Sequence, residues 1–313
     1  MTAPALPPAQ ALTLTAVDGV ALAALRYPAV GPVRGQIVVG SATGVPQGFY
    51  RRFARFAQAR GYQTLTLDYR GIGLSAPPTL AGYHVDYLDW GRLDLAAAVA
   101  AMAEQDLPLY LVGHSYGGHA LGLLPNHDRI ERAALFATGA GWHGWMPPVE
   151  RLKVLAMWNL AGPLLTRWKG YLPWSLLGMG EDLPLSVYRQ WRQWCRSPRY
   201  FFDDPTMLEV HAGFARVRTP ILAVNATDDG WAPPRSRDAF MSGYSGADWR
   251  GIDIDPSASG LAPIGHMGYF RPAAQPLWQG MLDWFQADRP GRLPFVAARS
   301  EEHTSELQSL TNL

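Results

Sequence analysis

Three residue types that together activate an alcohol are present in this chain, each in a loop that could hold it. Ser115 lies in Gly113-His114-Ser115-Tyr116-Gly117-Gly118, directly after the apolar run Leu107 to Val112. A serine hydroxyl is a weak nucleophile near neutrality, so it needs a base within hydrogen-bond reach and an acid that orients the base. Asp228 and Asp229 follow the apolar stretch Pro220 to Asn225, and His266 sits in the glycine-flanked loop Pro263 to Gly268. His266 is the one histidine placed late in the chain with a helix expected behind it. The glycines around Ser115 have a steric purpose. In a Gly-x-Ser-x-Gly turn the positions two before and two after the serine face each other, and a Cβ at Gly113 or Gly117 would clash with the neighbouring strand or helix.

The elements that must carry these loops alternate along the sequence. Leu12 to Ala16 and Val20 to Tyr27 flank Asp18-Gly19, a hairpin turn. Strands are expected at Gln36 to Gly40, Gln63 to Asp68, Leu109 to Val112, Ala133 to Ala137, Pro220 to Asn225 and Asp248 to Ile254. Between them lie helical stretches at Phe49 to Ala59, Tyr87 to Glu104, Pro234 to Met241 and Pro272 to Gln286. Phe53, Phe56 and Ala57 mark the buried face of the first helix. Such alternation gives an α/β protein with a parallel sheet covered on both faces, and its function sits at the carboxyl ends of the strands.

The alternation is interrupted once. Residues 139–210 hold seven of the twelve tryptophans (Trp142, Trp145, Trp158, Trp168, Trp174, Trp191 and Trp194), with helical pieces broken by prolines. This segment is expected to be an inserted helical lid, with residues 1–138 and 211–290 as the core. Its aromatics, with Met146, Met157, Met179, Phe201 and Phe202, could line an apolar acyl pocket or form the lid's own core. Its basic residues, Arg151, Lys153, Arg167, Lys169, Arg189, Arg192, Arg196 and Arg199, could meet an anionic substrate group or simply face solvent.

Composition narrows the classes. The 27 basic and 26 acidic side chains among 313 residues nearly cancel, leaving no basic stripe for nucleic acid. No run of eighteen apolar residues suggests a membrane span. The first thirty residues make a poor secretory signal, and the single Cys195 fits a reducing, cytoplasmic setting. No spacing suits a metal or a phosphate loop, so no cofactor is expected. Arg299 to Ser309 reads RSEEHTSELQS, the codon-by-codon translation of a common sequencing adapter. Residues 299–313 are therefore treated as an artefact, and His303 is set aside.

The elbow GHSYGG, the segment Asp68-Tyr69-Arg70-Gly71-Ile72-Gly73-Leu74-Ser75, the loop TDDGWAPP and the motif IGHMGYF resemble the α/β-hydrolase superfamily. More narrowly, SATGVPQGFYRRFA, CRSPRYFFDD (Cys195 to Asp204) and IGHMGYFRP resemble a bacterial branch near the serine aminopeptidase and lysophospholipase-like group. The resemblance spans about Leu12 to Gln286. It implies a mostly parallel eight-stranded sheet and a triad in the order Ser115, Asp229, His266, with the acid four residues before Pro233. It also implies an oxyanion hole from the N–H of Tyr116 and one from the loop Gly40 to Gly44. Ala42 is the choice there, with Ser41 and Thr43 as near alternatives. That loop departs from the family, where many members carry His-Gly.

Ser41, Thr43, His114, Trp142, His143, Trp231 and Met267 are candidate pocket residues. The expected function is acyl-enzyme hydrolysis of small carboxylic esters with an apolar acyl part. Alternatives are a thioester hydrolase, an aminopeptidase using Glu181, Asp182, Asp203 or Asp204 to bind the free amine, or a non-catalytic binding protein on the same fold.

Overall fold

The structure is a computed structural model that describes residues 6–103 and 106–287; the adapter-like tail lies outside them. Eight strands form one sheet: β1 (Gln10–Thr15), β2 (Ala21–Tyr27), β3 (Gly35–Gly40), β4 (Tyr62–Leu67), β5 (Leu109–His114), β6 (Arg132–Phe136), β7 (Ile221–Ala226) and β8 (Trp249–Ile254). Their spatial order is β1-β2-β4-β3-β5-β6-β7-β8. β1 and β2 pair antiparallel, β2 pairs antiparallel with β4, and the rest run parallel. The first hairpin turns at Asp18-Gly19, where Gly19 takes φ +86°, a conformation that costs glycine little.

Helices cover both faces. α1 (Arg51–Gln58) and α9 (Gln275–Gln286) share one core, in which the Phe53 and Phe56 rings meet Trp278 edge-on at 5.8 and 5.3 Å. On the other face lie α2 (Ala96–Met102), α3 (Tyr116–Leu121) and α8 (Pro234–Met241). The helix expected from Tyr87 begins at Trp90 as a wide π-helical turn, Trp90–Leu95, before continuing as α2. Asp94 in this turn accepts hydrogen bonds from the backbone N–H and the Nε of Arg70, at 2.9 and 2.7 Å. That contact pins the segment Asp68 to Ser75 beneath the sheet's carboxyl end.

Between β6 and β7 the chain forms α4 (Pro148–Ala156), a π-helical segment Met157–Ala161, α5 (Gly162–Lys169), α6 (Leu185–Trp194) and α7 (Leu208–Arg216). The boundary expected at residue 210 falls inside α7. This helix belongs with the core packing, since Phe214 lies so close to Gly122 that a Cβ there would stand 2.4 Å from its ring.

Candidate active site

Ser115 follows β5 directly and precedes the first residue of α3, so one residue must turn the chain from strand to helix. It does so at φ +51° and ψ −109°, a conformation that a side chain rarely adopts and that marks stored strain. Its N–H donates to the Phe136 carbonyl at 2.8 Å. The glycine requirement is borne out in detail. A Cβ on Gly117 would sit 2.0 Å from the Gly40 carbonyl oxygen, and one on Gly113 would sit 2.7 Å from the Gly117 carbonyl carbon.

His266 and Asp229 converge on this serine from the loops after β8 and β7. Ser115 Oγ lies 3.1 Å from His266 Nε2, and His266 Nδ1 lies 3.0 and 3.1 Å from the two carboxylate oxygens of Asp229. Asp229 is buried, and burial alone would raise its carboxyl. The charge and hydrogen bond of His266, with N–H donors from Ala232 and Trp231 at 2.9 Å, outweigh burial and hold it below the ordinary value. An ionised Asp229 accepts from Nδ1–H, which leaves Nε2 bare to take the serine proton.

The adjacent Asp228 does a different job. Its carboxylate accepts the backbone N–H groups of Ile264 and Gly265 at 2.9 and 3.0 Å. It thereby fastens the loop that presents His266. The two aspartates left open by residue type alone are thus separated by geometry, with Asp229 on the imidazole.

The loop Gly40 to Gly44, expected to supply an oxyanion donor, is engaged elsewhere at Ala42. The Ala42 N–H donates to the Tyr50 hydroxyl at 2.8 Å, and that hydroxyl lies 3.0 Å from His114 Nδ1. His114 Nε2 in turn lies 2.9 Å from the His266 carbonyl oxygen. Because a carbonyl only accepts, Nε2 carries the proton, Nδ1 accepts from Tyr50, and Tyr50 accepts from Ala42. The amide chosen from its offset is therefore already occupied by a side chain eight residues further on. The next residue, Thr43, lines the cavity, and its hydroxyl pairs with that of Tyr87.

A cavity of about 290 Å³ opens over Ser115. Of the expected residues, Ala42, Thr43, Tyr116, Trp231 and Met267 line it; Ser41, His114, Trp142 and His143 do not. His114 is fully buried in the relay just described, and burial, with the neighbouring His266, depresses it to about 3. Trp142 packs edge-on against Trp145 at 5.3 Å, at the start of the insertion. Sequence reasoning missed Tyr87, His119 and Tyr200 on the wall; His119 is one helical turn beyond Ser115, a spacing that could have flagged it. From the insertion come Trp174, Met179 and Trp191. Trp158 and Trp194 are instead buried in the main core and Trp168 is exposed, so the tryptophans divide among lining, core and surface.

None of the insertion's basic residues, and none of Glu181, Asp182, Asp203 and Asp204, lines the cavity. Asp203 pairs with Arg199 at 2.8 Å and Asp182 accepts from Ser175 at 2.6 Å. Cys195 is buried and burial pushes its thiol up. Among the described residues no group of His, Cys, Asp or Glu is arranged to hold a metal, and no helix is long and apolar enough to cross a membrane.

The sheet order, the strained turn at the end of β5 and the loops that meet there define an α/β hydrolase. A family model described as serine aminopeptidase, S33, matches residues 22–190. That is more than half of the chain, and the protein belongs to this family. Solved structures with the same fold include a soluble variant of monoglyceride lipase from Saccharomyces cerevisiae in complex with a substrate analogue. It is 15% identical with TM-score 0.62, over 90% of this chain and 96% of that one. Another is an esterase from Exiguobacterium antarcticum, 15% identical with TM-score 0.58, over 89% and 100%. DcsB in complex with its substrate analogue is 15% identical with TM-score 0.61, over 89% and 99%. No curated protein sequence matches the chain.

Proposed function

We propose that the protein is a serine esterase that works through an acyl-enzyme. The observation that carries this reading is the continuous hydrogen-bond line from Asp229 through His266 to Ser115 Oγ at the floor of a largely apolar cavity. Ser115 attacks the ester carbonyl while His266 Nε2 takes its proton. Asp229 stays ionised and stabilises the imidazolium. The carbonyl oxygen, now carrying the negative charge, is held by the N–H of Tyr116 at the head of α3 and the N–H of Thr43, since Tyr50 engages that of Ala42. His266 then gives its proton to the departing alcohol. Water enters, loses a proton to His266, attacks the acyl carbon and releases the acid and Ser115.

The cavity volume lies just below the usual range for small-molecule sites, roughly 300 to 1,000 Å³. With Trp174, Trp191, Trp231, Met179 and Met267 on its walls, it suits a short or medium apolar acyl group. The aminopeptidase reading lacks a carboxylate in the cavity to receive a free amine.

A chain-length series of p-nitrophenyl esters tests the proposal. The expected profile is bell-shaped, with its maximum at short to medium acyl groups and no turnover in Ser115→Ala. Negligible turnover across the series, with hydrolysis of peptide N-terminal amides or acyl thioesters instead, would reject the ester reading.

A further inference from the structure

Among the described residues, nothing covers one apolar face of the insertion. From α4 through the π-helical segment to α5 the chain is helical from residue 148 to 169, about 33 Å at 1.5 Å per residue. One side packs inward through Val154, Met157, Trp158 and Thr166, all buried. Trp158 meets Trp191 edge-on at 5.0 Å. On the other side, Val149, Leu152, Leu160, Leu164 and Trp168 are each between 62 and 70% exposed, and Ala156 between them is exposed as well. Successive members are three or four residues apart, so they form one stripe along the rod. Scattered exposed leucines need no explanation, but a stripe of this length does.

Two further observations point to what covers it. The rod contains Arg151, Lys153, Arg167 and Lys169 against the single acid Glu150, while the whole chain carries a net charge of only +1. Arg151, Lys153 and Arg167 are exposed. Glu150 offsets only Lys153, at 3.1 Å, and the Lys169 ammonium lies 4.2 Å from the centre of the Trp168 ring. The positive charge therefore remains beside the stripe. The cavity also reaches the surface within the insertion, because Met179 both lines it and is exposed, next to exposed Leu176 and Leu177.

From this pattern we infer that the outward face of the 148–169 rod docks on an anionic lipid surface. Leu160, Leu164 and Trp168 enter the headgroup boundary, while Arg151, Arg167 and Lys169 stay among the lipid phosphates. An amphipathic helix with leucine and tryptophan on one side and cations beside them binds such a surface lying in its plane. A second copy of the chain fits less well. Face-to-face pairing would bring two positively charged rods together, with no acidic patch on either to meet them.

Co-sedimentation with phosphatidylcholine vesicles, with and without phosphatidylglycerol, tests this without any turnover, so the result does not depend on the esterase reading. The full chain should bind the anionic vesicles and be released by about 0.5 M salt. Leu160→Glu with Leu164→Glu should weaken partitioning by at least about tenfold without moving the thermal unfolding midpoint. If that pair disturbs folding, Arg167→Glu with Lys169→Glu decides, with the same loss expected. Absence of binding by the full chain, or binding that survives both pairs, overturns the inference. So does a dimer in sedimentation velocity that Leu160→Glu with Leu164→Glu dissociates while anionic vesicles are ignored; a second copy would then be the occupant.

Discussion

Asp228 and Asp229 are consecutive, yet they hold different parts of one loop. Asp229 meets the His266 imidazole, and Asp228 accepts the two backbone N–H groups just before it. The pair sets both the tautomer of His266 and the position of the loop that carries it.

Asp229→Asn should therefore lower kcat by about 10⁴-fold, because an amide facing Nδ1 favours the wrong tautomer. Asp228→Asn keeps an acceptor oxygen but loses the charge that grips two amides, and should cost only about tenfold to a hundredfold through misplacement of the ring. Steady-state kinetics on one ester checks the pair. Equal losses would mean that the two carboxylates share one role.

Tyr50 joins the Gly40 to Gly44 loop to the loop of His266 through Ala42, His114 and the His266 carbonyl. Tyr50→Phe leaves the buried Ala42 N–H and His114 Nδ1 without their partner. It should cost about 1 to 3 kcal/mol of stability and lower kcat more than it raises KM. Chemical denaturation and kinetics on the same preparation measure both. A variant that loses stability but keeps wild-type kcat would show that the relay supports the fold alone.

Two buried histidines make the fold acid-sensitive. Burial depresses His114 to about 3 and His119 to about 4, from an ordinary 6.5. Both are neutral in the folded chain, whereas the unfolded chain takes up their protons below about 6.5. Between those values the unfolded state binds more protons, so stability falls as pH falls. The loss should reach up to about 2 kcal/mol per histidine by pH 5. His119→Gln, whose amide can still donate to the Gly139 carbonyl that His119 faces at 2.9 Å, should remove about that much of the pH dependence. An unchanged difference between unfolding free energies at pH 7 and pH 5 would count against it.

Much of this arrangement was legible in the residues because it depends on local rules. The alternation placed the strands, and the glycines at 113 and 117 announced the turn whose close approaches are now seen. The order of Ser115, Asp229 and His266 followed from resemblance, and the three side chains do meet. What escaped depends on contacts between distant segments. Counting from the end of β3 suggests Ala42 for the oxyanion, and nothing nearby reveals that Tyr50 reaches back to that amide. His114 and Trp142 are candidate pocket residues in the sequence, yet one is buried in the Tyr50 relay and the other packs on Trp145. In the insertion, only the packing of α4 to α6 separates Trp174 and Trp191, on the cavity wall, from Trp168 on the outside.

A Ser115 made nucleophilic by His266 should be trapped by a fluorophosphonate, with intact-mass spectrometry as the readout. One adduct per chain is expected, mapped to Ser115, absent in Ser115→Ala and formed far more slowly in His266→Ala. A folded wild-type protein that takes no adduct, or takes it at another residue while Ser115→Ala still reacts, would contradict a nucleophilic Ser115.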